Sequence, residues 1–149
     1  SDIEFVMDDQ IDGTPVINAD RRQLSQALTN ILKNACEALS GEDASNEKKI
    51  QVTLSIHDDK ISIAVADTGP GLPISDRHNL VEPYITTREQ GTGLGLAIVK
   101  KVVEDHGGTL KLEDAPWVKD GKSGAQITLI FPFQDNQTVG LSKVEEEVI

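Results

Sequence analysis

IQVTLSIHDDKISIAVADTGPGL, residues 50–72, carries two runs of alternation around a polar interruption. Ile50, Val52, Leu54 and Ile56 recur at every second residue, and Ile61, Ile63 and Val65 do so again after His57-Asp58-Asp59-Lys60. Apolar side chains at a period of two mark strands with one buried face. The stretch predicts a β-hairpin whose second strand runs directly into the turn Asp67-Thr68-Gly69-Pro70-Gly71.

Before the hairpin, Leu24, Leu28, Ile31, Ala35 and Leu39 recur at helical spacing. Asp20 precedes them, with Gln23 three residues later as in a capping box. A helix over 20–40 follows from this, then a polar loop over 41–48. Residues 1–8 read as an edge strand with Ile3, Phe5 and Met7 on one face, followed by a turn at Asp12-Gly13-Thr14-Pro15.

After the hairpin, 72–90 has no clean period and reads as a mobile loop. A second helix over 94–106 places Leu94, Ile98 and Val102 beside Val99 and Val103, and Gly107-Gly108 stops it. Residues 109–113 predict a strand, 114–124 a loop with the only tryptophan, and 125–131 a last strand closed by Pro132. Residues 134–149 are polar and acidic and read as a disordered tail, leaving one domain over 1–133. The order predicts an α+β fold, an α/β sandwich with helices on one face of a mixed, mostly antiparallel sheet. It is not the alternating βαβ series of a dinucleotide-binding fold.

Composition narrows the function. The chain has 149 residues, 38% of them hydrophobic and 3% aromatic, so aliphatic side chains build the core. Its net charge is −11, from 25 acids and 14 bases. That balance argues against a nucleic-acid footprint and against attraction to an anionic membrane. A polyanion can still bind where backbone N–H groups and a metal ion supply positive potential. One cysteine, Cys36, excludes an internal disulfide and a cysteine metal site, and reads as a buried structural thiol. No signal peptide or apolar span is evident, which suits a cytoplasmic setting.

Four stretches carry chemistry. In QALTNILKNACEAL (26–39), Asn30 and Asn34 share one side of the helix about a quarter-turn from the apolar stripe. An amide oxygen there can ligate Mg²⁺ when phosphates provide most of the charge, or simply meet solvent. In VADTGPGL (65–72), a strand ends in a carboxylate that can accept from an adenine amine, while glycines admit a flat base. An ordinary tight turn would look the same. In GTGLGLAIVKKVVEDHGG (91–108), glycines open a helix and expose N–H donors to phosphate. No Gly-Lys-Ser/Thr ending is present, and a hinge is the other reading. In GAQITLIFP (124–132), Thr128 interrupts an apolar strand, as a good β-former does.

Together and in this order, these stretches resemble the ATP-binding catalytic domain of sensor histidine kinases, within the wider set of gyrase B, Hsp90 and MutL. NILKNACEAL is similar to the N box and DTGPGL to the G1 box. VEPYITTREQGTGLGLAIVKKVVEDHGG is similar to the joined F and G2 boxes. The wording is nearest to nitrogen-regulation kinases of the NtrY and NtrB type. The resemblance covers about 20–132.

It implies that Asn34 ligates Mg²⁺ and Asn30 lines the same phosphate site. It implies that Asp67 accepts from adenine, with Gly69, Gly71 and Leu72 shaping the pocket and Thr128 supporting the base. Gly91, Thr92, Gly93, Leu94, Gly95 and Leu96 would meet the phosphates. Residues 72–90 would form a lid, with Thr86, Thr87 and Arg88 in it, and Arg88 and Lys33 would supply charge. Two departures stand out. Glu37 occupies a position where many relatives carry a base, and Asn30 stands where the gyrase branch has its water-activating glutamate. An amide takes no proton at neutral pH, which favours transfer to a side chain over hydrolysis.

His57, His78 and His106 are the only histidines, and none lies in a phosphoacceptor motif. The expectation is a monomeric catalytic fragment of a longer kinase that binds ATP and Mg²⁺ but cannot phosphorylate itself. Its partners would be the kinase's own phosphoacceptor and dimerisation domain and a downstream response regulator. The membrane would be reached only through other segments. An independent serine kinase of the anti-sigma-factor type and a non-catalytic nucleotide-binding module are the alternatives.

Overall fold

The computed structural model describes residues 3–40, 47–71 and 95–133. In chain order its elements are β1 (Glu4–Asp9), α1 (Arg21–Ala38), β2 (Lys49–His57), β3 (Lys60–Asp67), α2 (Gly95–Asp105), β4 (Thr109–Asp114) and β5 (Ala125–Pro132). A 3₁₀ helix, Pro116–Asp120, lies between β4 and β5. The five strands form one sheet in the order β1-β2-β3-β5-β4. Only β1 and β2 run parallel; every other neighbouring pair is antiparallel. This is the predicted α+β arrangement. The loop and lid expected over 72–90 and the tail over 134–149 lie outside the described residues.

Register converts the alternation into one apolar face. Val52 sits opposite Val65, Leu54 opposite Ile63 and Ile56 opposite Ile61. Val65 in turn faces Ile127, Ile63 faces Leu129 and Ile61 faces Phe131. The two-residue turn between these strands holds Asp58 at φ 56°, a conformation glycine adopts more cheaply. Onto the apolar face pack Ala27, Ile31 and Ala35 of α1 and Val99, Val102 and Val103 of α2. Ile31, Ile50, Val99, Val103 and Leu129 are fully buried. Full burial stabilises by roughly 1.5–3 kcal/mol per large aliphatic side chain. Cys36 is a free, half-buried thiol packed against this core. The other sheet face carries the polar residues Gln51, Thr53, Ser55, Ser62 and Gln126, all half-buried, and Thr128, which is buried.

Phe5 and Met7 pair with Ile50 and Val52 and so share their face. They are nonetheless 63% and 64% exposed. The helices lie over β3, β4 and β5, while β1 is the edge strand beyond them.

The start of α1 departs from a capping box. Asp20 Oδ1 accepts from the backbone N–H groups of Arg22 and Gln23, at 2.9 and 3.1 Å. The Asp20 N–H does not meet the Gln23 side chain; it donates to His106 Nε2 at 2.9 Å. His106 Nδ1 lies 2.7 Å from the Val102 carbonyl, so Nδ1 carries the proton and Nε2 accepts. His106 therefore ties the end of α2 to the beginning of α1. The two packed helices run in opposite directions. Gly107, at φ 73°, ends α2, and the Gly108 N–H returns to the Val103 carbonyl at 2.9 Å. A Cβ on Gly108 would stand 2.5 Å from the Ile130 carbonyl oxygen, so glycine is needed for the chain to pass this close to β5.

Candidate functional site

The strand β3 ends in a carboxylate, and the chain turns away at once. Asp67 is 6% exposed. Its Oδ1 accepts the Gly69 N–H at 2.9 Å, which sets the orientation of the carboxyl group. Gly69 is pressed against the last turn of α1. A Cβ there would lie 2.9 Å from Ala38 Cβ and 3.0 Å from Asp67 Oδ1. Gly71 follows at φ 90° and passes over the Gly124 backbone, where a Cβ would meet the Gly124 carbonyl oxygen at 3.5 Å. Asp67, Gly69 and Gly71 are thus one compact turn at the end of the central hairpin.

Ala38 joins this turn to the two asparagines. Asn30, Asn34 and Ala38 are spaced four apart on α1 and share one side of it. Both asparagines are half-buried, at the border of the core stripe. The helix side that touches Gly69 through Ala38 therefore carries Asn34 one turn back and Asn30 two turns back. Lys33, three residues from Asn30, is exposed.

The second helix contributes its N-terminus. His106 pins the far end of α2 beside Asp20. The eleven residues of α2 extend about 16 Å from there to its first residue, Gly95. A helix N-terminus is an electropositive end with N–H groups to offer. Leu96, in its first turn, is half-buried. Leu72, Thr86, Thr87, Arg88, Gly91, Thr92, Gly93 and Leu94 lie outside the described residues.

Thr128 is not brought to this site. It pairs with Ala64, and Gln126 pairs with Ala66. Asp67 belongs with Val65 and Ile127 on the opposite, helix-covered face. A strand alternates its side chains, so Thr128 is held on the face away from α1 and α2, where it is buried and its hydroxyl lies 3.4 Å from Gln126 Nε2. The residue that the register carries opposite Asp67 on its own face is Ala125, one step beyond the Ala66–Gln126 pair.

Two features of the turn were not expected from the sequence. The Thr68 hydroxyl accepts the Lys49 N–H at 2.9 Å and donates to the Glu47 carbonyl at 2.7 Å. Behind it, Trp117 Nε1 donates to the Ser123 carbonyl at 2.9 Å, and Lys49 Nζ lies 4.6 Å from the Trp117 ring centre. Gly124 is enclosed there: an added Cβ would collide with the Asp67 carbonyl oxygen and stand 2.7 Å from Trp117 Nε1. Thr-Gly inside a glycine-rich turn was the only hint in the sequence. Of the described histidines, His57 is exposed at the end of β2, 3.6 Å from Asp58, and His106 is committed to the helix ends.

Residues 19–135 match the family model for "Histidine kinase-, DNA gyrase B-, and HSP90-like ATPase". Nitrogen regulation protein NtrY of Azorhizobium caulinodans is 48% identical over 115 residues, which are 76% of this chain and 15% of that protein. The signal transduction histidine-protein kinase AtoS of Escherichia coli is 39% identical over 125 residues, 83% of this chain and 19% of that protein. The chain thus spans less than a fifth of the length of these two relatives. Among solved structures, the mycobacterial sensor histidine kinase MprB matches with TM-score 0.75 and 32% identity, over 89% of this chain and 83% of that one. The catalytic domain of the histidine kinase ThkA matches at 0.72 and 31%, over 88% and 79%. The two antiparallel helices, the mixed sheet and the boxes around Asn34 and Asp67 accordingly place this chain in the histidine kinase-, gyrase B- and HSP90-like ATPase family, as a catalytic domain of the sensor histidine kinase kind.

Proposed function

We propose that this domain binds ATP with Mg²⁺ and, within a longer sensor kinase, offers the γ-phosphate to a histidine of a neighbouring phosphoacceptor and dimerisation domain, for relay to a response regulator. The observation that carries the reading is the contact between the Asp67 turn and α1: Gly69, whose N–H the buried Asp67 carboxylate accepts, lies against Ala38, one helical turn from Asn34. The carboxylate accepts from an exocyclic amine, and the Gly69–Gly71 turn leaves room for a planar base. Backbone donors at the start of α2 suit phosphate oxygens.

No cluster of three His, Cys, Asp or Glu side chains able to hold a metal occurs among the described residues. That suits Mg²⁺, which keeps several waters and takes few protein ligands when phosphates are present. The Asn34 amide oxygen would be its protein ligand, with Asn30 beside it. When bound, the ion neutralises charge on the phosphates. Asn30 and Asn34 are amides, so they position and cannot remove a proton.

Two related structures agree with this reading. ShkA, 30% identical, was solved full-length with AMPPNP. ThkA, 26% identical in that structure, was solved with the response regulator TrrA. No helix among the described residues is long and apolar enough to cross a membrane, and a cytoplasmic setting belongs to the same proposal.

Calorimetry tests the first half. ATP with magnesium should bind the wild-type chain, and Asp67→Asn should bind it at least tenfold more weakly, because an amide presents an N–H where the carboxylate accepted. Absence of binding by the folded wild type refutes the reading. Labelled ATP, this chain and a separately produced phosphoacceptor domain test the second half. The label is expected on a histidine of the added domain and not on this chain. Label on a serine of an added partner instead would identify a serine kinase.

A further inference from the structure

We infer that Thr68 is a positioning residue for base recognition: its hydroxyl takes over a sheet hydrogen bond so that the chain can leave β3 immediately after Asp67. This inference rests on the proposed reading of Asp67 as the group that accepts from the adenine amine.

The geometry of the strand end makes the case. The β2–β3 ladder runs up to the pair Ile50–Asp67. One step further, Lys49 and Thr68 would exchange two backbone hydrogen bonds if the ladder continued. Only one is made between backbone groups: the Thr68 N–H donates to the Lys49 carbonyl at 3.1 Å. The reciprocal donor, the Lys49 N–H, is received by Thr68 Oγ1 at 2.9 Å. The same hydroxyl gives its proton to the Glu47 carbonyl at 2.7 Å. Thr68 Oγ1 therefore stands in for its own carbonyl. The main chain is released from the sheet at that residue, while no half-buried backbone donor on β2 is left without an acceptor.

This release lets Gly69 reach Ala38 and return its N–H to Asp67 Oδ1. A side chain without a hydroxyl leaves the Lys49 N–H to recapture the Thr68 carbonyl. Recapture extends β3 by one residue, draws Gly69 away from α1 and removes the hydrogen bond that aims the carboxylate. The effect falls on base discrimination. The phosphate-facing groups of α1 and α2 make none of these bonds.

ATP and GTP titrations in magnesium on the wild type, Asp67→Asn, Thr68→Val, Thr68→Ala and Thr68→Ser test this, with thermal melts of each. The wild type prefers ATP, and Asp67→Asn loses that preference. Thr68→Val and Thr68→Ala melt cooperatively, bind ATP about tenfold more weakly, as the loss of one buried hydrogen bond allows, and bind GTP unchanged. Thr68→Ser restores ATP affinity to within about twofold. Wild-type ATP affinity in Thr68→Val beside a loss in Asp67→Asn overturns the role of Thr68 and leaves Asp67 standing. An equal loss of ATP and GTP overturns it as well. So does the absence of a cooperative melt in both Thr68→Val and Thr68→Ala, which would make Thr68 a requirement of the fold. No ATP binding by the folded wild type removes the site and this inference with it.

Discussion

Two glycines with different surroundings show how much the turn at Asp67 depends on missing atoms. At Gly69 an added Cβ meets Ala38 Cβ and the Ala38 carbonyl oxygen, both fixed to the α1 backbone, and the carboxylate the turn orients. Of these only the carboxylate can swing aside, and the turn must draw back from α1 by a few tenths of an ångström, so Gly69→Ala should fold, at a cost of about 1–3 kcal/mol. Its ATP affinity should fall further than its stability, because the displaced atom is Asp67 Oδ1. At Gly124 the added atom meets the Asp67 backbone carbonyl and the Trp117 indole, and φ is 154°. Backbone of a central strand cannot yield in the same way, and Gly124→Ala should cost more than about 3 kcal/mol. Urea denaturation of the two variants checks the order, and a smaller loss at Gly124 than at Gly69 would contradict it. The glycines and Asp67 were legible in the sequence as a motif. The role of Thr68 was not, because a hydroxyl that replaces a backbone acceptor leaves no periodic signal.

At the scale of elements, spacing places each strand and helix within a residue or two, except the start of β1, expected at residue 1 and found at Glu4, and it fails where a partner comes from far along the chain. The helix start at Asp20 illustrates this. Gln23 lies where a capping box would use it, yet the acceptor for the Asp20 N–H is His106, 86 residues away. No local pattern encodes that contact. It also gives His106 a role that its position at a helix end could only suggest. Removing the acceptor by His106→Ala should therefore destabilise by about 1 kcal/mol. Gln23→Ala should stay within about 0.5 kcal/mol of the wild type, since Gln23 contributes a backbone N–H that alanine keeps. Chemical denaturation of both variants distinguishes the two caps, and the reverse order would restore the capping box. Thr128 failed for a related reason. A residue type and a motif name suggested a site, but the parity of the strand decides the face, and parity is fixed only once Gln126 is seen opposite Ala66. The 3₁₀ turn with Trp117 lies in a stretch whose sequence predicts a loop, because five residues are too few to show a period.

Across the whole molecule, cover and charge are distributed unevenly, and both have measurable consequences. The helices lie over the β3–β5–β4 side of the sheet, so Phe5 and Met7 on β1 are mostly in water although they share the face of Ile50. Phe5→Ser and Met7→Ser should each change the stability of this chain by no more than about 0.5 kcal/mol. Ile50→Ala, at 0% exposure on the adjacent strand, should cost about 2–5 kcal/mol. Charge acts at longer range. The chain carries −11, and a nucleotide triphosphate remains anionic with magnesium bound. A domain of this length has a radius of gyration of about 15 Å. At 10 mM ionic strength the screening length is about 30 Å, so an approaching nucleotide meets the field of the whole acidic molecule. At 150 mM it is about 8 Å, and only the local N–H donors and nearby side chains act. Raising the salt should therefore remove repulsion before it weakens attraction. The association rate of a fluorescent ATP analogue, measured by stopped flow at constant free magnesium, should rise severalfold between these two conditions. The dissociation rate, set by contacts made at short range, should change less. A nucleotide site fed by a basic surface gives the opposite salt dependence. A falling association rate here would mean that the N-terminus of α2 and the lysines around it dominate the potential well beyond the site itself.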